Sequence, residues 1–230
     1  MGANSMADDT FRVIVAGAGV AGLFMAEKLK KAGIDFSVYE KADEVGGTWR
    51  DNTYPGLFVD VLSRQYEFPF QPNYDWSRTY APAPEIQAYI EKVADDRNLR
   101  KYIRFNTEIT EARFTDNLWH IKTADGKTEI ADVFICATGF LHAPIFPEIE
   151  GRESFAGPSF HSGAWDHSVP MAGKRWGVIG GGASGIQITE AFSYEKCEVT
   201  QFIRRAQWIH IRENPYTAWW EWIFLPLPFA

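Results

Sequence analysis

The chain has 230 residues, 46% hydrophobic and 23% charged, enough for one large or two ordinary globular domains with real cores. Its net charge of −7 speaks against nucleic acid as a partner, and its 2 cysteines cannot build a disulfide framework. The N-terminus shows no basic region followed by an apolar run, so a cytoplasmic protein is expected, with Cys136 and Cys197 reduced, buried and inert.

Residues 1–10 read as a disordered tag or N-terminus. Phe11 to Ala16 is short, apolar and β-branched, which predicts a buried strand; Val20 to Lys31, rich in Ala, Leu, Glu and Lys, predicts an amphipathic helix. Between them stands Gly17-x-Gly19-x-x-Gly22. Gly17 permits a tight turn, Gly19 lets the backbone approach a pyrophosphate, and Gly22 lets the helix pack close on the strand. The helix N-terminus offers free N–H groups and partial positive charge to the same anion. A second strand, Asp35 to Tyr39, ends at Glu40, 18 residues after Gly22, where a carboxylate can accept both ribose hydroxyls. This succession predicts a dinucleotide-binding domain over 11–140.

Gly46 to Asp60 holds Thr48, Trp49, the turn Tyr54-Pro55-Gly56 and Asp60. It is too polar and too punctuated by Gly and Pro for a helix or strand, and long irregular loops inside compact domains usually meet a ligand. Ser63 to Tyr80 is aromatic and irregular. Ala83 to Asn98 predicts a helix, with Pro84 near its first position and Glu85 in its first turn. Strands are predicted at Glu108–Phe114 and Leu118–Thr123, and Asp125-Gly126 marks a hairpin, giving a β-meander. Asp132 to Ala137 predicts a buried strand whose end, Thr138-Gly139, can lie against the same cofactor as the first glycine loop.

Residues 141–172 carry Pro144, Pro147, Pro158 and Pro170 and are expected to link two domains. The opening pattern then returns over 173–212. Arg175 to Ile179 predicts a strand, Gly180-Gly-Gly182-Ala-Ser184-Gly185 a second glycine turn, Ile186 to Tyr194 a helix, and Cys197 to Ile203 a strand. This last strand ends in Arg204-Arg205. An acid there would repel a 2′-phosphate, whereas guanidinium groups grip one with paired hydrogen bonds. The first site therefore suits FAD or NAD and the second NADP, which points to a flavoenzyme reduced by NADPH. The expected fold is α/β: two Rossmann-like FAD/NAD(P)-binding domains, a parallel sheet with helices and a β-meander, three-layer in type.

Two further segments carry a resemblance. Gly47-x-Trp49-x4-Tyr54-Pro55-Gly56-x3-Asp60 and Phe155-x-Gly157-x3-His161-x3-Trp165-Asp166 make the chain resemble the Baeyer–Villiger monooxygenases over Val13 to Trp208. The resemblance implies that Gly17, Gly19, Gly22 and Glu40 hold the FAD pyrophosphate and ribose. It implies Gly47, Thr48, Trp49, Asp60 and Tyr66 around the flavin and nicotinamide, and Ile109 against the adenine. Gly180, Gly182, Ser184, Gly185, Arg204 and Arg205 would bind NADP.

Phe155, Gly157, His161, Trp165 and Asp166 form the family's fingerprint in the connector, with His161 at a hinge, positioning rather than exchanging protons. His161 and His167 lack further Cys or acid–His company and do not read as a metal pair, so no metal is expected. The implied chemistry is the cofactor's: NADPH reduces FAD, the reduced flavin traps O2 as a flavin peroxide, and a small-molecule ketone becomes an ester or lactone. Asp60 is the catalytic candidate. It would orient a peroxide-stabilising arginine that in the family lies beyond residue 230. N- or S-oxygenation and a non-catalytic nucleotide-binding module remain open as alternatives. Family members are longer, so a fragment or truncated relative is expected. Residues 213–230, with Trp219, Trp220 and Trp222, are expected to begin a helical insertion; the stretch is too short and Pro-broken to span a bilayer and lacks basic residues for a membrane surface.

Overall fold

β1 (Arg12–Ala16) and β2 (Asp35–Tyr39) lie side by side and parallel, Arg12 opposite Asp35 and Ala16 opposite Tyr39, connected through α1 (Val20–Ala32). The computed structural model that shows this describes residues 11–211 and 213–217, so the tag expected at 1–10 and the tail from residue 218 lie outside the described residues. Helix α1 forms because Leu23, Ala26 and Leu29 fall on one face and are buried, each leucine contributing about 1.5–3 kcal/mol. It ends where Lys30 and Lys31 meet the negative end of the dipole and Gly33 turns left-handed at φ +68.

The loop after β2 contains one helical turn, α2 (Thr48–Asp51), where irregular chain was expected. Its amides are satisfied locally, Trp49 N–H donating to the Gly46 carbonyl and Arg50 N–H to that of Gly47. Helix α3 (Ala83–Asp96) stops before the expected Asn98, because Asn98 takes φ +48 and Leu99 N–H closes back on the Ala94 carbonyl. After the short β3 (Ile103–Arg104) come β4 (Ile109–Thr115), β5 (Leu118–Thr123) and β6 (Thr128–Ala131), an antiparallel meander. The β4–β5 turn is made by Asp116 and Asn117, both at positive φ, the backbone that a two-residue hairpin requires. Gly126 closes the β5–β6 turn at φ +84, as Asp125-Gly126 predicts.

β7 (Val133–Cys136) completes a parallel sheet ordered β3-β2-β1-β7. Ile14 and Tyr39 on one face of this sheet pack with Ile121 and Ala131 of the meander. The alternate positions Val13, Val15, Phe36 and Val38 are buried on the face that α1 covers. Helix, sheet and meander are thus three layers. One expectation is corrected: β7 is half-buried rather than buried, and Cys136 is exposed. Among the described residues β7 is the edge of its sheet, so no further strand shields it.

The chain divides into two units, Met1–Arg50 with Ile90–His142, and Asp51–Tyr89 with Ala143–Ala230. The second unit contains β8 (Arg175–Ile179), α4 (Ala183–Ser193) and β9 (Glu198–Phe202), with the two strands parallel. Helix α4 begins three residues before the expected Ile186, because Gly182 already adopts the extended geometry of a helix cap. Tyr54, Ile188 and Phe192 form a buried cluster, against which Trp165, Met171, Trp176, Val178, Cys197 and Val199 pack half-buried. Cys197 is accordingly half-buried, its thiol donating to the Phe192 carbonyl at 3.2 Å. No helix among the described residues is long and apolar enough to cross a membrane.

Candidate functional site

In the first unit Gly17 and Gly22, after β1, lie tightly against backbone. A Cβ placed on Gly22 would stand 1.9 Å from the Gly17 carbonyl oxygen, and one on Gly17 2.7 Å from that of Ala137. Neither position admits a side chain, and Gly17 at φ +99 is strained for any other residue. Gly19 approaches Gly47 so closely that a Cβ on Gly47 would be 3.3 Å from the Gly19 Cα. Gly46 N–H donates to the Ala18 carbonyl at 3.1 Å. Two glycine segments thus form a backbone-walled cradle at the head of α1, whose first turn carries neither a capping side chain nor an acid. Such a helix end is built to receive an anion.

Glu40 sits at the end of β2 and is 4% exposed. Its carboxylate accepts from Ala18 N–H at 2.7 Å and from Ala42 N–H at 3.0 Å, with the Arg50 guanidinium at 3.3 Å. The buried charge is therefore paired and hydrogen-bonded, as a buried carboxylate must be. Thr138, exposed, follows β7 so closely that the Gly17 turn abuts its Cα, 3.4 Å from a Cβ built on that glycine. Ile109 opens β4 and packs against the Ile14–Tyr39–Ile121 cluster, two residues after Thr107, whose N–H donates to the Glu40 carbonyl. Trp49 is buried beside Gly47, and Thr48 is exposed. The structure brings Gly17, Gly19, Gly22, Glu40, Gly47 and Thr138 together.

The second unit repeats one contact of this arrangement. A Cβ on Gly185 would stand 2.5 Å from the Gly180 carbonyl oxygen, the same third-to-first glycine relationship as in the first motif. The same carbonyl accepts from Gln201 Nε2 at 2.9 Å, a strut from β9 that the spacing of the motif does not reveal. Outside the carboxyl ends of β8 and β9 lies a cleft of about 1190 Å³ lined by Gly180, Gly182, Arg204, Arg205 and the stretch Ile145–Ile149. Ligands of open α/β sheets bind at that end of the strands. Arg204 and Arg205 are exposed, so their guanidinium groups are available at its rim.

Ser184 does not simply face this cleft. Its hydroxyl donates to the Tyr54 hydroxyl at 3.0 Å, which in turn donates to Gln187 Oε1 at 3.1 Å. Gln187 Nε2 then donates to the Phe58 carbonyl at 2.9 Å. Burial raises the Tyr54 hydroxyl above the ordinary phenol range; the Ser184 hydrogen bond opposes this and the Asp60 charge adds to it. Asp60 itself is exposed, and Tyr66, half-buried, closes a short 3-10 turn after Ser63. Gly56 lies flat on α4, where a Cβ would be 2.7 Å from the Gln187 carbonyl oxygen and 2.8 Å from Ala191 Cβ. Sequence reasoning quoted Tyr54 as a motif residue without giving it a role, and missed Gln187. The available signal was the i, i+3 spacing of Ser184 and Gln187 on one helical face.

Of the fingerprint residues, Trp165 packs against this helix. Trp165 stacks on Trp176 at 6.2 Å and tilts against Phe192 at 6.1 Å. His161 Nδ1 accepts from Gly163 N–H at 2.9 Å and caps a short 3-10 turn, with Phe146 edge-on at 5.7 Å. Asp166 is held below the usual carboxylate range by the Ser168 hydroxyl and N–H. Gly157 lies under the ring of the exposed Phe155, 2.8 Å from a Cβ built there. Among the described residues no group of three or more His, Cys, Asp or Glu could hold a metal ion.

The family model described as pyridine nucleotide-disulphide oxidoreductase matches residues 14–222. A Baeyer–Villiger monooxygenase of Streptomyces coelicolor is 45% identical over 201 residues, 86% of this chain and 38% of that protein. An acetone monooxygenase (methyl acetate-forming) of a Gordonia species is 37% identical over 217 residues, 91% of this chain and 41% of that protein. The crystal structure of OTEMO in complex with FAD and NADP superposes with a TM-score of 0.86 at 35% identity, covering 93% of this chain and 42% of that one. The chain thus spans about two fifths of the length of the curated relatives it matches.

Proposed function

This chain belongs to the pyridine nucleotide-disulphide oxidoreductase family, and from that premise we propose that it carries the FAD and NADP(H) sites of a Baeyer–Villiger monooxygenase. The reaction would insert one oxygen of O2 beside the carbonyl of a small-molecule ketone, giving an ester or lactone. One observation carries the reading: the two glycine cradles end in opposite charges, a buried Glu40 in one and Arg204 with Arg205 at the rim of the other. The resemblance to a monooxygenase named for forming methyl acetate and to a structure containing FAD and NADP supports the assignment.

The residues fit those groups. Gly17, Gly22 and Gly47 leave no room for side chains beside the place where a pyrophosphate would lie, and the uncapped head of α1 presents free N–H groups there. Glu40 has the acceptor capacity for ribose hydroxyls beyond the two amides it already holds. Thr48, Trp49 and Tyr66 are assigned to the flavin and nicotinamide surroundings, Ile109 to the adenine, and Thr138 to the cofactor beside the first glycine loop. Gly180, Gly182 and Gly185 would admit the second pyrophosphate, and the two arginines would hold a 2′-phosphate by paired hydrogen bonds. When bound, the flavin supplies hydride acceptance and oxygen activation. Asp60 is assigned to orienting a cation at the reacting oxygen.

The test is direct. The purified protein should be yellow, should prefer NADP+ to NAD+, and should consume NADPH with ester formation from a panel of cyclic, linear and aryl ketones. A colourless protein without nucleotide affinity overturns the cofactor assignment, and bound flavin with no ester from any ketone overturns the oxygenation.

A further inference from the structure

Next to the second glycine turn, polar groups of the half-buried Ser184 and the buried Tyr54 and Gln187 form one directed series, Ser184 to Tyr54 to Gln187 to the Phe58 carbonyl, at 3.0, 3.1 and 2.9 Å. Ser184 lies in the first turn of α4, two residues after Gly182, which lines the dinucleotide cleft. Phe58 lies two residues before Asp60, in a loop whose Val59 N–H is anchored on the Ala81 carbonyl. Tyr54 is 6% exposed, and its ring is a member of the cluster with Ile188 and Phe192. Its hydroxyl satisfies the buried Gln187 as well as the half-buried Ser184. Gly56 lets the Tyr-Pro-Gly turn lie flat enough on α4 for these bonds to form.

We propose that Tyr54 is a positioning residue for the dinucleotide cleft, fixing Ser184 at the head of α4 and, through Gln187, the loop that bears Asp60. The proposal rests on the reading of this cleft as an NADP(H) site. Ser184 then acts on the cofactor through the phenol that orients it, and the Tyr54–Gln187 pair sets the distance between helix head and loop. Loss of the hydroxyl alone leaves the ring in its cluster but frees both ends of the series. The helix head would keep its fold and lose its fixed orientation toward the phosphates.

The experiment compares wild type, Tyr54→Phe, Gln187→Met and the double variant by NADP+ titration, with thermal unfolding in parallel. Tyr54→Phe and Gln187→Met should each weaken NADP+ binding about 5- to 30-fold, the magnitude of one charge-neutral positioning hydrogen bond and its unpaired partners. The double variant should lose less than the sum of the two single losses, since both variants break the shared Tyr54–Gln187 bond. Trp165→Phe, which touches the cluster but not the series, should lower the unfolding midpoint without changing NADP+ affinity. Wild-type binding with Tyr54→Phe unchanged, or strictly additive losses in the double variant, overturns this inference alone. A wild-type protein that binds no NADP+ overturns the cofactor reading and this inference with it.

Discussion

The Glu40 carboxylate accepts a 2.7 Å hydrogen bond from the N–H of Ala18, the residue between the first two glycines of the opening motif. One side chain at the end of β2 thereby sets the shape of the turn after β1. Glu40→Gln keeps the volume but places an NH2 against one of two amide donors, leaving a buried donor unpaired at about 1–3 kcal/mol. Flavin content after purification should fall at least about 5-fold, and the thermal midpoint should drop. Full flavin retention would remove Glu40 from the cofactor's surroundings.

The two cradles should fail separately. Gly22→Ala would push a methyl group into the Gly17 carbonyl, and Gly185→Ala one into the Gly180 carbonyl. Each costs at least about 1–3 kcal/mol through overpacking against backbone that cannot yield. Gly22→Ala is expected to lose flavin absorption, whereas Gly185→Ala should keep it and lose NADP+ affinity. Loss of both ligands in both variants, with intact circular dichroism, would contradict two independent sites.

Coenzyme choice should follow charge at the end of β9. Arg204→Glu with Arg205→Glu should reverse the preference for NADP+ over NAD+ by about 10- to 100-fold, through lost paired hydrogen bonds and new repulsion of the 2′-phosphate. Dissociation constants for both coenzymes, at one fixed salt concentration, measure it.

Tyr54 should also mark the alkaline limb of stability. Its folded hydroxyl is raised above the ordinary range chiefly by burial, so the folded chain holds this proton more tightly than the unfolded one. The contribution is therefore intact below the ordinary phenol pKa of about 10 and is lost as pH rises through the raised value. Tyr39 is shifted in the same direction, again mainly by burial, so the difference between wild type and Tyr54→Phe isolates Tyr54. Urea unfolding from neutral pH to about pH 11 should show a shallower decline in the variant.

Trp165 should behave as a packing residue. Trp165→Ala removes rings stacked on Trp176 and tilted on Phe192, and about 2–4 kcal/mol of unfolding free energy should go with them. Denaturant unfolding checks this, and a change below about 0.5 kcal/mol would mean the fingerprint tryptophan serves elsewhere.

The amino-acid order alone made β1, α1, β2 and the meander legible, because their apolar periods and turn residues are local properties. It made both glycine turns legible for the same reason: a missing Cβ is visible in a string of letters, and so is an acid or an arginine at a strand end. What it could not contain is the partner of each buried polar atom. Only the folded chain placed Gln201 under the Gly180 carbonyl, Glu40 on the Ala18 amide, and Tyr54 between Ser184 and Gln187 across 130 or more positions of chain. Cys136 failed as a buried thiol for a related reason: an apolar strand reads the same at the centre of a sheet as at its edge, and strand order is a tertiary fact. Local sterics write themselves into sequence; the pairing of distant donors and acceptors is decided when the layers close.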